Sequence, residues 1–269
     1  MTDSKNILFI AQEVCPFLPE ETPTRLINRK LPEYFQSHGM PNRTFMPKFG
    51  EINERRNQLH EVIRLSGANL IIRGTDHPLL LKVASIPAAR IQFYFIDNDD
   101  YFARRKGTID DDGKEYPDND ERTVFFCRGV LDTITKMRWT PDLIYCSGWM
   151  TSLIPMYVRT AFADSPFLKD AKIIFGLDDN AYKKAFPASF SSKVLIDGVT
   201  ENDIRTIAGF NVGYEQLMQL ACAYADGYVQ TTPAVNPRII KFIESQNKPI
   251  LPANQISLEN YQEFFTSML

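Results

Sequence analysis

The chain has 269 residues, of which 44% are hydrophobic and 23% charged, and its formal net charge is −3. This composition is typical of a globular protein and excludes a wholly disordered or fibrous chain. The near balance of charge argues against a general nucleic-acid binder, which needs a basic face. No segment approaches the roughly 20 apolar residues that a membrane-spanning helix requires. The chain also starts without the pattern of a signal peptide, so we expect a cytoplasmic protein with no membrane partner.

The predicted elements alternate between strands and helices. The first half of the chain contains a strand at 7–11, a helix at 24–38, a strand at 43–46, several short strands between 59 and 96, and a helix at 122–138. The second half contains a strand at 142–146, a helix at 149–162, a strand at 172–175 and a mostly helical segment at 203–225. A strand at 227–231, a helix at 237–245 and a last helix capped by Ser257 follow. This alternation predicts an α/β fold, with a Rossmann-like parallel sheet covered by helices on both faces. We expect a single domain over residues 1–269.

The cysteines are widely spaced, at Cys15, Cys127, Cys146 and Cys222. Structural zinc sites usually need closely paired ligands, and the chain has only three histidines. We therefore expect buried free thiols, with no metal centre, no disulfide framework and no bound cofactor.

Ligands of open parallel sheets bind at the carboxyl ends of the strands, and two features there bear on function. The turn after the first strand contains no glycine, so it cannot form a dinucleotide-binding turn, and neither a P-loop nor a nucleophile elbow occurs. The triplet Asp-Asn-Asp occurs at 97–99 and at 118–120. Such a triplet could hold a divalent cation and a nucleotide diphosphate, and the alternative is a solvated acidic loop.

Several segments together resemble one enzyme family. KNILFIAQEVCPF at 5–17 resembles the opening of bacterial glycogen synthases and plant starch synthases. DNDER at 118–122 resembles their D-N-x-x-R-F segment, and PDLIYCSGWMT at 141–151 resembles their P-D-V-V-H-A-H-D-W-H-T. YAD at 224–226, followed by TTP at 231–233, resembles Y-A-D followed by T-V-S-P. The matches occur in the family's order.

The resemblance implies a GT-B glycosyltransferase, whose two Rossmann-like halves enclose a cleft, and this chain corresponds to the N-terminal, acceptor-side half. The family transfers glucose from ADP-glucose, or from UDP-glucose in some members, to an α-1,4-glucan such as glycogen, without a metal. By this resemblance Asp118 is catalytic, and Asn119, Trp149 and Tyr182 bind the substrate. From the residues alone, Asp118 could instead cap a helix and Trp149 could pack in the core.

Some family residues are replaced. The family's K-T-G-G-L, which supports the sugar nucleotide, corresponds to 19–24, where Glu20 and Glu21 would repel phosphates. Ser147 and Asp178 stand in place of family histidines. The family's donor half, whose cations neutralise the leaving diphosphate, has no counterpart in these residues.

Two hypotheses follow from these matches and replacements. The first is a glucosyltransferase domain that is incomplete and inactive alone, with a possible second chain supplying the C-terminal half. The second is a non-catalytic module that binds glucan or regulates another glycogen enzyme. A third, minor alternative is an unrelated α/β protein that binds a small molecule.

Overall fold

The computed structural model describes residues 5–269. Residues 1–4 lie outside this range. They belong to the predicted single domain and to the N-terminal segment in which a signal peptide was sought. The strands are β1 (Ile7–Ala11), β2 (Asn42–Pro47), β3 (His60–Glu61), β4 (Ala68–Ile72), β5 (Thr75–Ile86), β6 (Ile91–Asp97), β7 (Leu143–Ser147), β8 (Lys172–Leu177), β9 (Gly227–Gln230) and β10 (Ile250–Leu251). The α-helices are α1 (Pro23–Ser37), α2 (Asn119–Met137), α3 (Ile154–Arg159), α4 (Phe190–Val194), α5 (Tyr214–Tyr224), α6 (Pro237–Ser245) and α7 (Leu258–Met268).

The strands form one sheet in the order β10-β9-β8-β7-β1-β2-β6-β5-β3, with β4 paired to β5. The strands from β10 to β6 are parallel, as predicted for a Rossmann-like sheet. The edge beyond β6 differs from the prediction, because β5 is antiparallel to β6, β3 and β4. Only residues 87–90 connect β5 to β6, which is too short for the crossover that a parallel pair requires.

Helices cover both faces of the sheet, as the continuous apolar sequence of β1 predicts. Successive side chains of a strand point to opposite faces. Leu8 and Ile10 accordingly belong to the larger core cluster, which includes residues of α2, α3 and α5. Ile7 and Phe9 belong to the smaller cluster, which is formed with α1 and α7.

Most predicted elements are present, and the differences have local causes. The predicted helix at 149–162 is divided into a 3₁₀ turn and α3, which has a proline in its first turn. The predicted helical segment at 203–225 becomes α-helical only at Tyr214, after Gly209, which has a φ of +83°, and Gly213, the N-cap residue of α5. The two apolar runs at 79–81 and 83–86 form a single strand, β5. The cap of the last helix is confirmed, because Asn260 N donates to Ser257 Oγ at 3.1 Å.

Candidate functional site

The carboxyl ends of β1 and β7 meet where the strand order reverses, which is the usual ligand position in open α/β sheets. The side chain of Gln12 is buried near this position, and its Oε1 accepts from Met150 N at 3.1 Å. Gly148 has a φ of +88°, and a Cβ on it would lie 2.6 Å from the Gln12 Cβ. Gln12 and Gly148 are therefore in close contact between the ends of these two strands.

A cleft of about 300 Å³ opens beside the start of α2, at the small end of the range for ligand pockets. The lining side chains come from two loops and one distant residue: Glu115, Tyr116, Pro117, Asn119, Lys184, Ala185, Phe186, Pro187 and Asn211. The carboxylate of Glu115 joins the two loops, because it accepts from Lys183 N at 2.6 Å and from Lys184 N at 2.7 Å. We call this feature the Glu115 cleft.

Asp118 lies at the N-cap position of α2, but its side chain makes no capping hydrogen bond, so the helix-cap interpretation is wrong. Its Oδ2 instead accepts from Arg105 Nη2 at 3.0 Å, and its Oδ1 is buried without a hydrogen-bond partner. The side chain as a whole is 21% exposed. Asp118 is therefore a half-buried carboxylate that Arg105 holds through Oδ2.

Asn119 lines the Glu115 cleft and also braces the loop before α2. Its Nδ2 donates to Thr108 O at 2.8 Å, and its Oδ1 accepts from Arg122 Nη1 at 2.6 Å. The guanidinium of Arg122 is fully buried, packs on the rings of Tyr116 and two phenylalanines, and donates to Gly107 O. Burial lowers the pKa of Arg122 to about 10, although the nearby Asp118 carboxylate opposes this shift.

Trp149 and Tyr182 lie beneath the cleft and not on its surface. Their exposed fractions are 2% and 6%. Tyr182 stacks on Phe186 with ring centroids 4.4 Å apart, and Trp149 contacts Tyr182 edge-on at 5.2 Å. The Tyr182 hydroxyl donates to Val212 O at 3.0 Å. Because Phe186 lines the cleft, this aromatic group fixes the shape of one wall.

The solvated-loop alternative is wrong for Asp97 and Asp120, which are buried, and right for Asp99, which is exposed. Asp97 is 1% exposed and pairs with Lys82 at 2.9 Å. Asp120 is also 1% exposed and pairs with the buried Lys193. Lysines therefore bind the carboxylates that could have served as metal ligands. Across residues 5–269, no three His, Cys, Asp or Glu side chains are placed to hold a metal ion together.

Asp178 is a buried carboxyl group at the end of β8. Burial raises its pKa to about 6, and the negative charges of Asp179 and Glu13 add to the increase. Its Oδ1 accepts from Asn180 N at 3.0 Å, which favours the ionised form. Ser147, at the end of the neighbouring strand β7, is also buried. Ser147 and Asp178, two of the positions that depart from the family histidines, thus lie at the carboxyl edge of the sheet; the third, Tyr145, lies within β7.

Comparison with known proteins tests the family resemblance that the sequence motifs suggest. The family model described as the starch synthase catalytic domain matches residues 6–236. The chain belongs to the starch synthase catalytic domain family. A glycogen synthase from Chlorobium luteolum is 33% identical over 211 residues, covering 77% of this chain and 42% of that protein. A glycogen synthase from Chlorobaculum parvum is 30% identical over 241 residues, covering 89% and 48% respectively.

The same comparisons confirm the GT-B resemblance. The catalytic domain of starch synthase IV from Arabidopsis thaliana, solved with ADP and acarbose, superposes with a TM-score of 0.72 at 17% identity. The match covers 92% of this chain and 51% of that one, and it supports the fold. This member of the family spans less than half the length of the glycogen synthases that it matches. Within residues 5–269, no helix has the length and apolar character needed to cross a membrane.

Sequence reasoning missed most of the Glu115 cleft. The family motif indicated Asn119, which lines the cleft, and Asp118, which is next to it in the chain. It did not indicate Glu115, which precedes the motif, or Lys184 and Asn211, which lie far from Asn119 along the chain. The polar character of the loop at 104–120 was the one available signal, because it differed from the apolar segments around it.

Proposed function

We propose that the chain is the acceptor-side half of a glycogen- or starch-synthase-type glucosyltransferase, and that it holds an α-1,4-glucan in the Glu115 cleft. Family membership supports the substrate class. The observation that carries the assignment is the lining of the cleft, where Tyr116, Phe186 and prolines provide apolar surfaces and Lys184 and Asn211 provide polar groups. Binding sites for small ligands commonly combine apolar walls with a few polar groups that fix the orientation of the ligand.

In this proposal Asp118, which directly precedes the cleft residue Asn119, is the catalytic carboxylate. Its Oδ2 can accept a hydrogen bond from an acceptor hydroxyl and draw the proton as that hydroxyl attacks. The guanidinium of Arg105, 3.0 Å from the same oxygen, fixes the carboxylate in place. Asn119 is 3% exposed and both of its amide groups are already hydrogen-bonded, so we propose that it contributes to binding by fixing the cleft wall. We propose that Trp149 and Tyr182 contribute by holding Phe186.

Transfer of glucose from ADP-glucose or UDP-glucose also requires stabilisation of the leaving diphosphate. Electrostatic stabilisation of developing charge is usually the largest catalytic contribution. The carboxyl edge of this sheet carries Glu13, Asp178 and Asp179, which are acidic. We therefore propose that catalysis needs polypeptide beyond the described residues, contributed by the same protein or by a second chain.

The second candidate function is a non-catalytic glucan-binding or regulatory module of glycogen metabolism. It is favoured by Ser147 and Asp178 in place of the family histidines, because a buried carboxyl group with a pKa of about 6 is largely ionised at neutral pH. A negative charge there disfavours a phosphorylated donor but leaves the binding of a neutral glucan unaffected.

We also propose one domain and a cytoplasmic location. Residues after the matched segment fold together with it, because Tyr261 and Phe265 of α7 share a core cluster with Phe9 of β1. The four cysteines are buried free thiols, which suits a reducing compartment.

The test measures two activities of the purified 269-residue chain in the same tubes. Co-sedimentation with glycogen reports binding, and incorporation of glucose from ADP-glucose and UDP-glucose reports transfer. We expect co-sedimentation, and we expect no incorporation unless a donor half is added. Failure to co-sediment would refute the proposal.

Asp118→Asn tests the catalytic assignment, with Asp99→Asn, an exposed carboxylate at the same edge, as the matched control. Once a donor half restores incorporation, Asp118→Asn should abolish it and Asp99→Asn should not. Equal incorporation by the two variants would remove Asp118 from the catalytic role. Binding that no donor half converts into transfer would favour the regulatory module.

A further inference from the structure

The first strand–helix turn is the usual phosphate site of an open α/β sheet. The N-terminus of the following helix offers unpaired N–H groups and the positive end of the helix dipole. In this chain the turn at 12–22 leads from β1 into α1. The donors and charges of this turn therefore indicate whether the domain can bind a phosphorylated ligand there.

The N–H groups at the start of α1 are largely unavailable. Pro23 is the first helical residue and has no N–H to donate. Thr22 caps the helix, and its Oγ1 accepts from Arg25 N at 3.2 Å. Of the N–H groups at positions 23–25, only that of Thr24 is left for a ligand. A helix start of this kind is closed to an anion that needs several converging donors.

The charges around the same turn oppose a phosphate. Glu20 and Glu21 are exposed and directly precede the cap residue. Arg25, in the first turn of α1, is already engaged, because its Nε donates to Glu13 Oε2 at 2.8 Å and its Nη1 donates to Glu20 O at 2.8 Å. No lysine or arginine side chain of the turn itself is left to bind an anion, since 12–22 contains none.

The groove beside the turn carries two carboxylates and one cation. It is about 190 Å³ in volume, and Glu21, Glu51 and Arg56 lie on its walls. Burial raises the pKa of Glu51, and the carboxylates of Glu13 and Glu20 add to the increase, whereas the charges of Arg25 and Lys106 oppose it. Glu51 therefore lies within electrostatic range of further carboxylates as well as of these two cations.

We infer that this turn excludes phosphorylated ligands, and that Glu20 and Glu21 make the chain discriminate between an uncharged glucan and a nucleotide diphosphate. The inference concerns residues outside the Glu115 cleft, and it constrains the proposed function: the diphosphate of an ADP-glucose or UDP-glucose donor has to be held away from this turn. Each carboxylate should lower the association constant of a diphosphate about fivefold at low ionic strength, and salt should reduce the effect.

The experiment titrates the full chain with inorganic pyrophosphate and with ADP, by calorimetry at low ionic strength. We expect no saturable binding of either ligand to the unmodified chain at low-millimolar concentration. In E20Q/E21Q pyrophosphate binding should become measurable, because about fivefold per carboxylate makes it about 25-fold tighter than the limit set by the unmodified chain, and it should weaken again on adding salt. The control is E259Q/E263Q, which makes the same charge change at exposed positions of α7. Thermal unfolding of each variant verifies that it is folded.

Two results would overturn the inference. One is saturable binding of ADP or pyrophosphate to the unmodified chain. The other is an E20Q/E21Q variant that binds pyrophosphate no more tightly than E259Q/E263Q. Maltoheptaose, titrated in parallel as an uncharged probe, tests the proposed function separately. Absence of maltoheptaose binding counts against the Glu115 cleft and leaves the phosphate result as it stands.

Discussion

The buried carboxyl group of Asp178 should reduce the stability of the fold at neutral pH. It is 4% exposed, and burial raises its pKa from an ordinary value of 3.8 to about 6. The folded chain therefore binds this proton more tightly than the unfolded chain. Stability is unaffected below about pH 4, falls as the pH rises from about 4 to 6, and stays lower above that range. A difference of about 2 pKa units corresponds to about 3 kcal/mol.

Asp178→Asn removes the charge and keeps the shape. The amide oxygen can still accept from Asn180 N, which Asp178 Oδ1 now does at 3.0 Å. We expect a gain of about 2 kcal/mol in the free energy of unfolding at pH 7, because the new NH₂ group needs a partner and offsets part of the relief. For a chain of this length the gain corresponds to an increase in Tm of roughly 5 °C.

Urea unfolding of the variant and the unmodified chain at several pH values between 4 and 7.5 measures this effect. The gain should disappear as the pH approaches 4, where the unmodified carboxyl group is itself neutral. Asp179→Asn is the matched control, since it makes the same change at the exposed neighbouring residue. A gain that is independent of pH, or one that Asp179→Asn reproduces, would refute the argument from burial.

Two further substitutions test the packing beneath the site, with urea unfolding as the measurement. Lys193→Met should cost about 3–5 kcal/mol, because it leaves the carboxylate of Asp120, which is 1% exposed, without its partner. An unchanged midpoint would mean that Asp120 is neutral in the folded chain. Gly148→Ala should cost clearly more than Gly67→Ala, because both glycines have positive φ but only a Cβ at Gly148 meets another atom within 4 Å. Equal costs would show that Gln12 moves aside freely.

Local signals allowed much of the fold to be predicted from the sequence. α6 has the predicted bounds, and α1 differs from its prediction by one residue at each end. Both begin at a proline next to a capping residue, and such signals act within a few positions of the chain. β10 was not predicted, because its two residues form a strand only by pairing with β9.

The candidate site was less predictable, because its geometry depends on contacts between distant residues. Asp97 and Asp120 looked like solvated acids from the sequence. Their lysine partners are 15 and 73 positions away, and no local pattern reports such a pairing. The family motif placed Asn119 correctly on a cleft wall, but Glu115 could not be linked to the loop at 183–184 without the fold.

The two hydrogen bonds that Glu115 makes to the loop at 183–184 bear on how a long molecule enters the cleft. One side chain, through two hydrogen bonds that remain exposed to water, joins the loops on either side. Exposed hydrogen bonds exchange readily with water, so the two loops can part without unfolding the core. If the cleft holds a glucan, as proposed, the chain of sugars can then enter from the side at any point along its length, whereas a permanently closed ring would require it to thread through from a free end.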